Sequence, residues 1–250
     1  MSRKLILLRH GQSQWNLENR FTGWTDVDLT QRGRQEAHQA GQLISKCGFN
    51  IDIVYVSLLK RAVNTSQICL NQLENQKINV IKDWRLNERH YGDLQGLNKA
   101  ETAKKFGEEQ VLKWRRSFEV APPKIKENDP RHPSRDSLYN KVDRNLLPSS
   151  ESLKDTVERI TPFLNDHLIP KILENINLLV VAHGNSLRAL IKIFKKISDK
   201  DVLGLNIPTG VPLVVEFSEN LEVVNDYYLG NQREINQRTA EVKTQGNLKY

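Results

Sequence analysis

Leu178-Leu179-Val180-Val181 followed by Ala182-His183-Gly184 is the strongest buried-strand signal in the chain, an unbroken apolar run that stops at small and polar residues. A second run of the same kind, Leu5-Ile6-Leu7-Leu8, ends in Arg9-His10-Gly11. Working outward from the first, Leu153 to Ile176 reads as a long helix or two, with Pro162 and Pro170 as kinks or restarts. Downstream, Leu187 to Ile197 reads as helix. Outward from the second, Gln31 to Cys47 spaces Ala37, Ala40, Leu43 and Ile44 helically and stops at Gly48. Ile53 to Val56 is a further buried strand, Arg61 to Leu73 a helix and Ile78 to Ile81 a short strand. Val211 to Phe217 and Leu221 to Tyr228 suit a hairpin.

This alternation predicts an α/β fold: a mostly parallel central sheet, flanked by helices on both faces and joined by right-handed crossovers. In such sheets ligands bind beyond the carboxyl ends of the strands. His10 and His183 both fall there.

The 250 residues suit one large α/β domain, or at most two small ones; a single catalytic domain is placed at 1–229, with a polar C-terminal tail at 230–250 expected to be mobile. Hydrophobic residues at 38% and charged residues at 27% fit a globular chain and exclude wholesale disorder. Cys47 and Cys69 are too few for a disulfide framework and read as reduced thiols of a cytoplasmic protein. No apolar run reaches membrane-spanning length, and Met1-Ser2-Arg3-Lys4 leads into a strand without a secretory pattern. The stretch Ala121 to Pro133 holds four prolines among charges and is a long functional or disordered loop. A net charge of +7 is compatible with nucleic acid, an acidic surface or small anions, but by itself reads first as solubility and a scattered basic face. The Lys and Arg residues are spread along the chain with no reading motif, which argues against nucleic acid.

Phosphoryl transfer needs a nucleophile, neutralisation of the equatorial oxygens and a proton donor or acceptor. A neutral imidazole can be that nucleophile. The guanidinium of Arg9, beside His10, suits phosphate. A single histidine at a strand end is more often structural, but two His-Gly pairs at the ends of two strands favour a shared site. No metal-ligand pattern is present.

Five strings carry a resemblance. LLRHGQSQWNLENRFTGWTDVDLT from Leu7, WRLNERHYGDLQGLNKAET from Trp84, KWRRSFEVAPP from Lys113, VVAHGNSLRALIK from Val180 and LNIPTGVPLVVEF from Leu205 resemble the phosphoglycerate mutase branch of the histidine phosphatase superfamily. Arg-His-Gly alone carries only the superfamily; the five strings together are highly specific. The resemblance implies a phosphoglycerate mutase-like fold and interconversion of 3- and 2-phosphoglycerate through a phosphohistidine. It also implies priming by 2,3-bisphosphoglycerate without a metal, and a homo-oligomer, dimer or tetramer. By the same resemblance His10 is the nucleophile, Arg9, Arg61 and His183 surround the phosphoryl group, and Glu88 is the general acid and base. Near phosphates such a carboxylate would have its pKa pushed up. Ser13, Asn16, Thr22, Gly23, Tyr91, Lys99, Arg115, Arg116, Gly184 and Asn185 would bind substrate.

Taken alone, Arg61 reads as a solvated helix charge, Glu88 as half of a surface ion pair with Arg89, and Ser13 as a helix cap. Trp15, Trp24 and Trp84 read as packing residues. Two relatives compete: a bisphosphoglycerate synthase, whose specialised members tend to carry Gly and Ser where this chain has Ser13 and Gly23, and a plain histidine phosphatase. Synthase and phosphatase activities are therefore expected to be secondary. The tail is expected to close over the loaded site.

Overall fold

The computed structural model describes residues 3–74 and 77–244. Strand β1 (Arg3–Arg9) lies at the centre of a six-stranded sheet whose order is β3-β2-β4-β1-β5-β6. The others are β2 (Ile53–Val56), β3 (Asn79–Lys82), β4 (Leu178–Ala182), β5 (Pro212–Phe217) and β6 (Val223–Tyr228). The first four run parallel, while β5 and β6 form an antiparallel hairpin against β1.

The apolar runs are unbroken because both sheet faces are covered. Leu5, Leu7, Leu178 and Val180 point to one face, where Ile160, Phe163, Leu187 and Leu190 pack on them. Ile6, Leu8, Leu179 and Val181 point to the other, against Ala40, Ile44, Ala62 and Cys69. The helices of the second face are α2 (Gln31–Lys46) and α3 (Lys60–Leu70), preceded by the single turn α1 (Gln14–Leu17). Two helices in contact outside the sheet, α4 (Lys99–Phe106) and α5 (Glu108–Arg116), join at Gly107. The first face carries α6 (Leu153–Phe163), α7 (Ile169–Leu173) and α8 (Gly184–Lys195).

Between α6 and α7 a π-turn spans Leu164–Leu168, in which Ile169 N–H reaches back to Leu164 O. Pro162 and Pro170 each lack a backbone donor, and the slip of register between them fits that loss. The expected "helix or two" is thus one helical rod with a widened turn. Helix α8 starts three residues earlier than its apolar spacing suggests, because Gly184 to Ser186 belong to its first turn.

The proline-rich segment has no regular structure beyond short 3₁₀ turns, but it is tied down. Ile125 N–H donates to Ser149 O at 3.1 Å, and Arg131 bridges Asp129 and Asp93, both at 2.8 Å. The polar tail forms a helix, α9 (Gln232–Thr244), anchored by buried Ile235, by Glu241 on Arg32 at 2.6 Å and by Arg238 on Gln39 at 2.8 Å. Its last six positions, 245–250, lie outside the described residues. No described helix is long and apolar enough to cross a membrane.

Candidate active site

The parallel register fixes the site. Arg9 pairs with Ala182 and Val56 with Val181, so β2, β4 and β1 end at one level. Ser57, His183 and His10 leave these adjacent strands side by side. His10 N–H donates to Ala182 O at 3.0 Å and Ser57 N–H to Val181 O at 3.3 Å. The imidazole centres of His10 and His183 are 4.9 Å apart.

Behind His10 the chain turns tightly against α2. A Cβ on Gly11 would sit 2.1 Å from Gly33 O, so the close approach demands glycine. Gly11 N–H donates to Thr65 Oγ1 at 3.1 Å and Gln12 N–H to Glu36 Oε2 at 2.8 Å, which locks the loop. His10 Nδ1 lies 2.7 Å from Gly11 O. A carbonyl only accepts, so Nδ1 carries the proton and Nε2 keeps its lone pair. Burial, then Arg61 and Arg9, hold His10 well below the usual imidazole range. Burial, then Arg61 and His10, do the same for His183. Both rings are therefore neutral at neutral pH.

Arg9 is buried, with Nη1 on Ile207 O at 2.7 Å and Nε without a hydrogen-bond partner among the described residues. Arg61 gives Nη2 to Gly23 O at 2.7 Å and Nη1 to Thr25 O at 3.0 Å, and burial pushes it down to about 10. Neither is a solvated surface charge. Gly23 itself has φ +53°, and a Cβ there would meet Gln95 Oε1 at 2.1 Å, while that oxygen holds Trp24 N–H at 2.7 Å. Glu88 is likewise buried rather than paired at the surface. Its Oε1 accepts from Arg89 N–H at 2.8 Å and from Asn185, backbone at 3.1 Å and side chain at 2.9 Å.

Above these groups lies an open cavity. Its lining includes Arg9, Asn16, Thr22, Gly23, Glu88, Tyr91, Lys99, Arg115, Arg116, Gly184 and Asn185. His10, His183 and Arg61 lie buried just outside that lining. Ser13 does not line it either: its side chain caps α1 and pairs reciprocally with Asn16. Lys99 opens α4, capped by Asn98, and burial together with Arg115 and Arg9 pushes its ammonium down to about 7. For Tyr91, burial is the largest influence and raises the hydroxyl, but Arg89, 4.6 Å over its ring, and Arg115 together outweigh it and the net shift is downward. Arg116 reaches Asn206 Oδ1 at 3.1 Å.

Four lining residues escaped the sequence reading: Arg20, Phe21, Arg188 and Val242. Arg188 holds Leu205 O at 2.6 Å and lies 3.3 Å from Asn185 Oδ1; burial, then Arg116, push it down to about 9. Its place three residues after Asn185, one helical turn along α8, was the available signal. Val242 comes from the tail helix and had none. The loop carrying Glu88 is braced from α6: Arg159 clamps Glu151 through two bonds of 2.6 and 2.9 Å and donates to the carbonyls of Arg85, Asn87 and Glu88. Trp24 packs between Tyr139, Trp84 and His90, so its packing role stands.

The arrangement brings two neutral imidazoles, buried guanidinium groups and one carboxylate to the mouth of a parallel sheet. Arg9 Nε and His183 Nδ1 are buried without hydrogen-bond partners among the described residues, and the cavity above is lined by cations, which fits a phosphorylated polyanion. The chain belongs to the histidine phosphatase superfamily, branch 1, whose family model matches residues 5–137. Within it, the chain is 53% identical over 244 residues to the 2,3-bisphosphoglycerate-dependent phosphoglycerate mutase of Hamiltonella defensa, covering 98% of each protein. It is 56% identical over 247 residues to 2,3-bisphosphoglycerate-dependent phosphoglycerate mutase 2 of Bacteroides thetaiotaomicron, covering 99% of this chain and all of that one. Among solved structures, a mycobacterial hydrolase is similar at TM-score 0.69 and 24% identity, covering 91% of this chain and 97% of its own. A mycobacterial glucosyl-3-phosphoglycerate phosphatase in complex with VO3 matches at TM-score 0.68 and 23% identity, over 90% and 97% of the two chains. These two share the fold.

Proposed function

We propose that this chain is a 2,3-bisphosphoglycerate-dependent phosphoglycerate mutase, interconverting 3- and 2-phosphoglycerate through a phosphohistidine. The observation that carries the residue assignments is the pair of neutral imidazoles 4.9 Å apart beneath a cationic cavity. Bound 2,3-bisphosphoglycerate supplies the phosphoryl group that loads the histidine. His10 takes the role of nucleophile because its Nε2 lone pair is free while Nδ1–H is held by Gly11 O. Arg9 and Arg61 offset charge on the equatorial oxygens. Glu88, whose hydrogen-bond partners among the described residues all meet Oε1, takes and returns the proton of the attacking hydroxyl. Lys99, Arg115, Arg116 and Tyr91 orient the remaining anionic groups, with Asn16, Thr22, Gly23, Gly184 and Asn185 completing the wall. Ser13 acts by holding Asn16 in place.

Transfer back to a glycerate hydroxyl, rather than to water, requires the site to be covered. We assign that cover to the tail, 230–250, beyond a catalytic domain of 1–229. Val242 already lines the cavity, and Arg32 ties Glu241 to Glu36, which in turn holds the Gln12 amide next to His10. The same reading makes the protein a cytoplasmic homo-oligomer, dimer or tetramer, acting on small anions and not on nucleic acid.

A coupled assay on 3-phosphoglycerate, with a chelator present and with or without added 2,3-bisphosphoglycerate, tests the function. Stimulation by the bisphosphate that survives chelation is expected. Release of free phosphate with no 2-phosphoglycerate would replace the mutase by a phosphatase.

A further inference from the structure

Ser57 follows β2 as His183 follows β4, and the parallel pairing of Val56 with Val181 sets them shoulder to shoulder. Both are fully buried. Ser57 Oγ lies 2.6 Å from His183 Nε2. The same oxygen accepts Leu59 N–H at 3.2 Å. On the opposite side of the imidazole, His183 Nδ1 is buried with no hydrogen-bond partner among the described residues, while its backbone N–H is occupied by Ser186 Oγ at 3.0 Å.

These contacts determine where the protons sit. A hydroxyl has one proton to give. Leu59 N–H is a donor and cannot receive it. Among the hydrogen bonds of the described residues, His183 Nε2 is the only acceptor Ser57 Oγ has. If Nε2 carried a proton instead, it would donate to Ser57, and the hydroxyl proton would be buried without an acceptor. Leaving a buried donor unsatisfied costs about 1–3 kcal/mol. Nδ1 would then present a lone pair to an anionic group, with repulsion added to that cost.

We propose that Ser57 is a positioning residue that fixes His183 as the Nδ1–H tautomer, making Nδ1–H the group that donates to the phosphoryl oxygens during transfer. This deepens the reading of His183 given above and rests on it. No proton leaves His183. The bond to the phosphoryl oxygen shortens as charge accumulates there and lengthens when the group has moved on, so the contribution falls on the transition state. Burial, with Arg61 next, keeps the ring neutral, which is why the tautomer, and not the charge, is the variable that needs fixing.

Nitrogen-15 NMR on histidine-labelled protein tests this directly, with His183→Ala used to assign the ring. In the wild type at neutral pH the expected pattern is a protonated Nδ1 and an unprotonated Nε2. In Ser57→Ala the two tautomers should mix. By analogy with the outer partners of metal-bound imidazoles, whose loss costs about 10- to 100-fold, a loss of that order is expected in kcat with KM little changed. Ser57→Thr, which keeps the hydroxyl, should restore both. A wild-type His183 protonated at Nε2 would overturn the proposal, as would wild-type kcat in Ser57→Ala. Should Ser57→Ala fail to fold, the wild-type spectrum alone decides. The tautomer is read without turnover, so a wild type that shows the expected ring yet makes no 2-phosphoglycerate would count against the functional reading and not against the role of Ser57.

Discussion

Replacing Arg159 by Met should unseat the loop that carries Glu88. The Arg159 and Glu151 side chains are 5% and 3% exposed, so the pair is buried, and it is bidentate at 2.6 and 2.9 Å. Removing the guanidinium strands the Glu151 carboxylate with His90 N–H, at 2.8 Å, as its remaining hydrogen-bond donor. It also strips a donor from the carbonyls of Arg85, Asn87 and Glu88. Breaking a buried pair from one side costs about 3–5 kcal/mol. At about 2–4 °C per kcal/mol for a chain of this size, the melting temperature should fall by about 6–20 °C. Because Arg159 braces the backbone on which Glu88 sits, kcat should fall as well, below the melting range. The informative control is Glu151→Gln on the same background. It removes the stranded charge, so the double variant should be more stable than the sum of the single losses implies, by about 0.5–3 kcal/mol. Thermal melts of the wild type, both single variants and the double variant measure this. A shift below 2 °C in Arg159→Met, or strict additivity, would refute the clamp.

His10→Ala should abolish both mutase turnover and acid-labile labelling of the protein by radiolabelled bisphosphoglycerate, and normal turnover would eliminate it as nucleophile. Lys99, lowered to about 7 from its ordinary 10.5 by burial, Arg115 and Arg9, should take up about one proton when phosphoglycerate binds near pH 8, so affinity should weaken from pH 6.5 to 8.5. Calorimetry in buffers of different ionisation enthalpy measures that uptake, which Lys99→Met should remove. A lysine whose folded pKa lies below its unfolded one penalises the folded state fully below about 7, and the penalty fades as pH rises toward 10.5. Lys99→Met should therefore stabilise the free protein most at and below neutral pH, by about 1–4 kcal/mol, while impairing catalysis. Deleting the chain after Gly230 removes Ile235, Arg238, Glu241 and Val242 and should raise phosphatase activity relative to mutase activity; an unchanged ratio would end the lid assignment.

Part of the basic excess finds its place in the cavity, where Arg9, Arg20, Lys99, Arg115, Arg116 and Arg188 converge with Glu88 as the acidic member of the lining. Such crowding of like charge is unfavourable without a ligand, and a polyanion relieves it. The sequence already hinted at this, because Arg115-Arg116 and Arg9-His10 are adjacent pairs. It could not say that burial lowers both imidazoles and both lysine and arginine charges around them, since burial is a property of the packed chain.

The sequence by itself determined the parallel sheet, because an unbroken apolar run such as Leu178 to Val181 is stable only with cover on both faces, and it marked two strand ends with His-Gly. Local chemistry also set the caps: Asn98 and Thr30 begin their helices with their own side chains. Tertiary structure alone made β1 and β4 neighbours in register, brought Ser57 to His183 and Arg159 to the Glu88 loop, and laid Val242 against the cavity. Those partners are distant in the chain, and nothing in the spacing of one segment encodes which face of another it will meet. Strand propensity is a local property; proton position, charge state and access to solvent depend on whatever packs alongside.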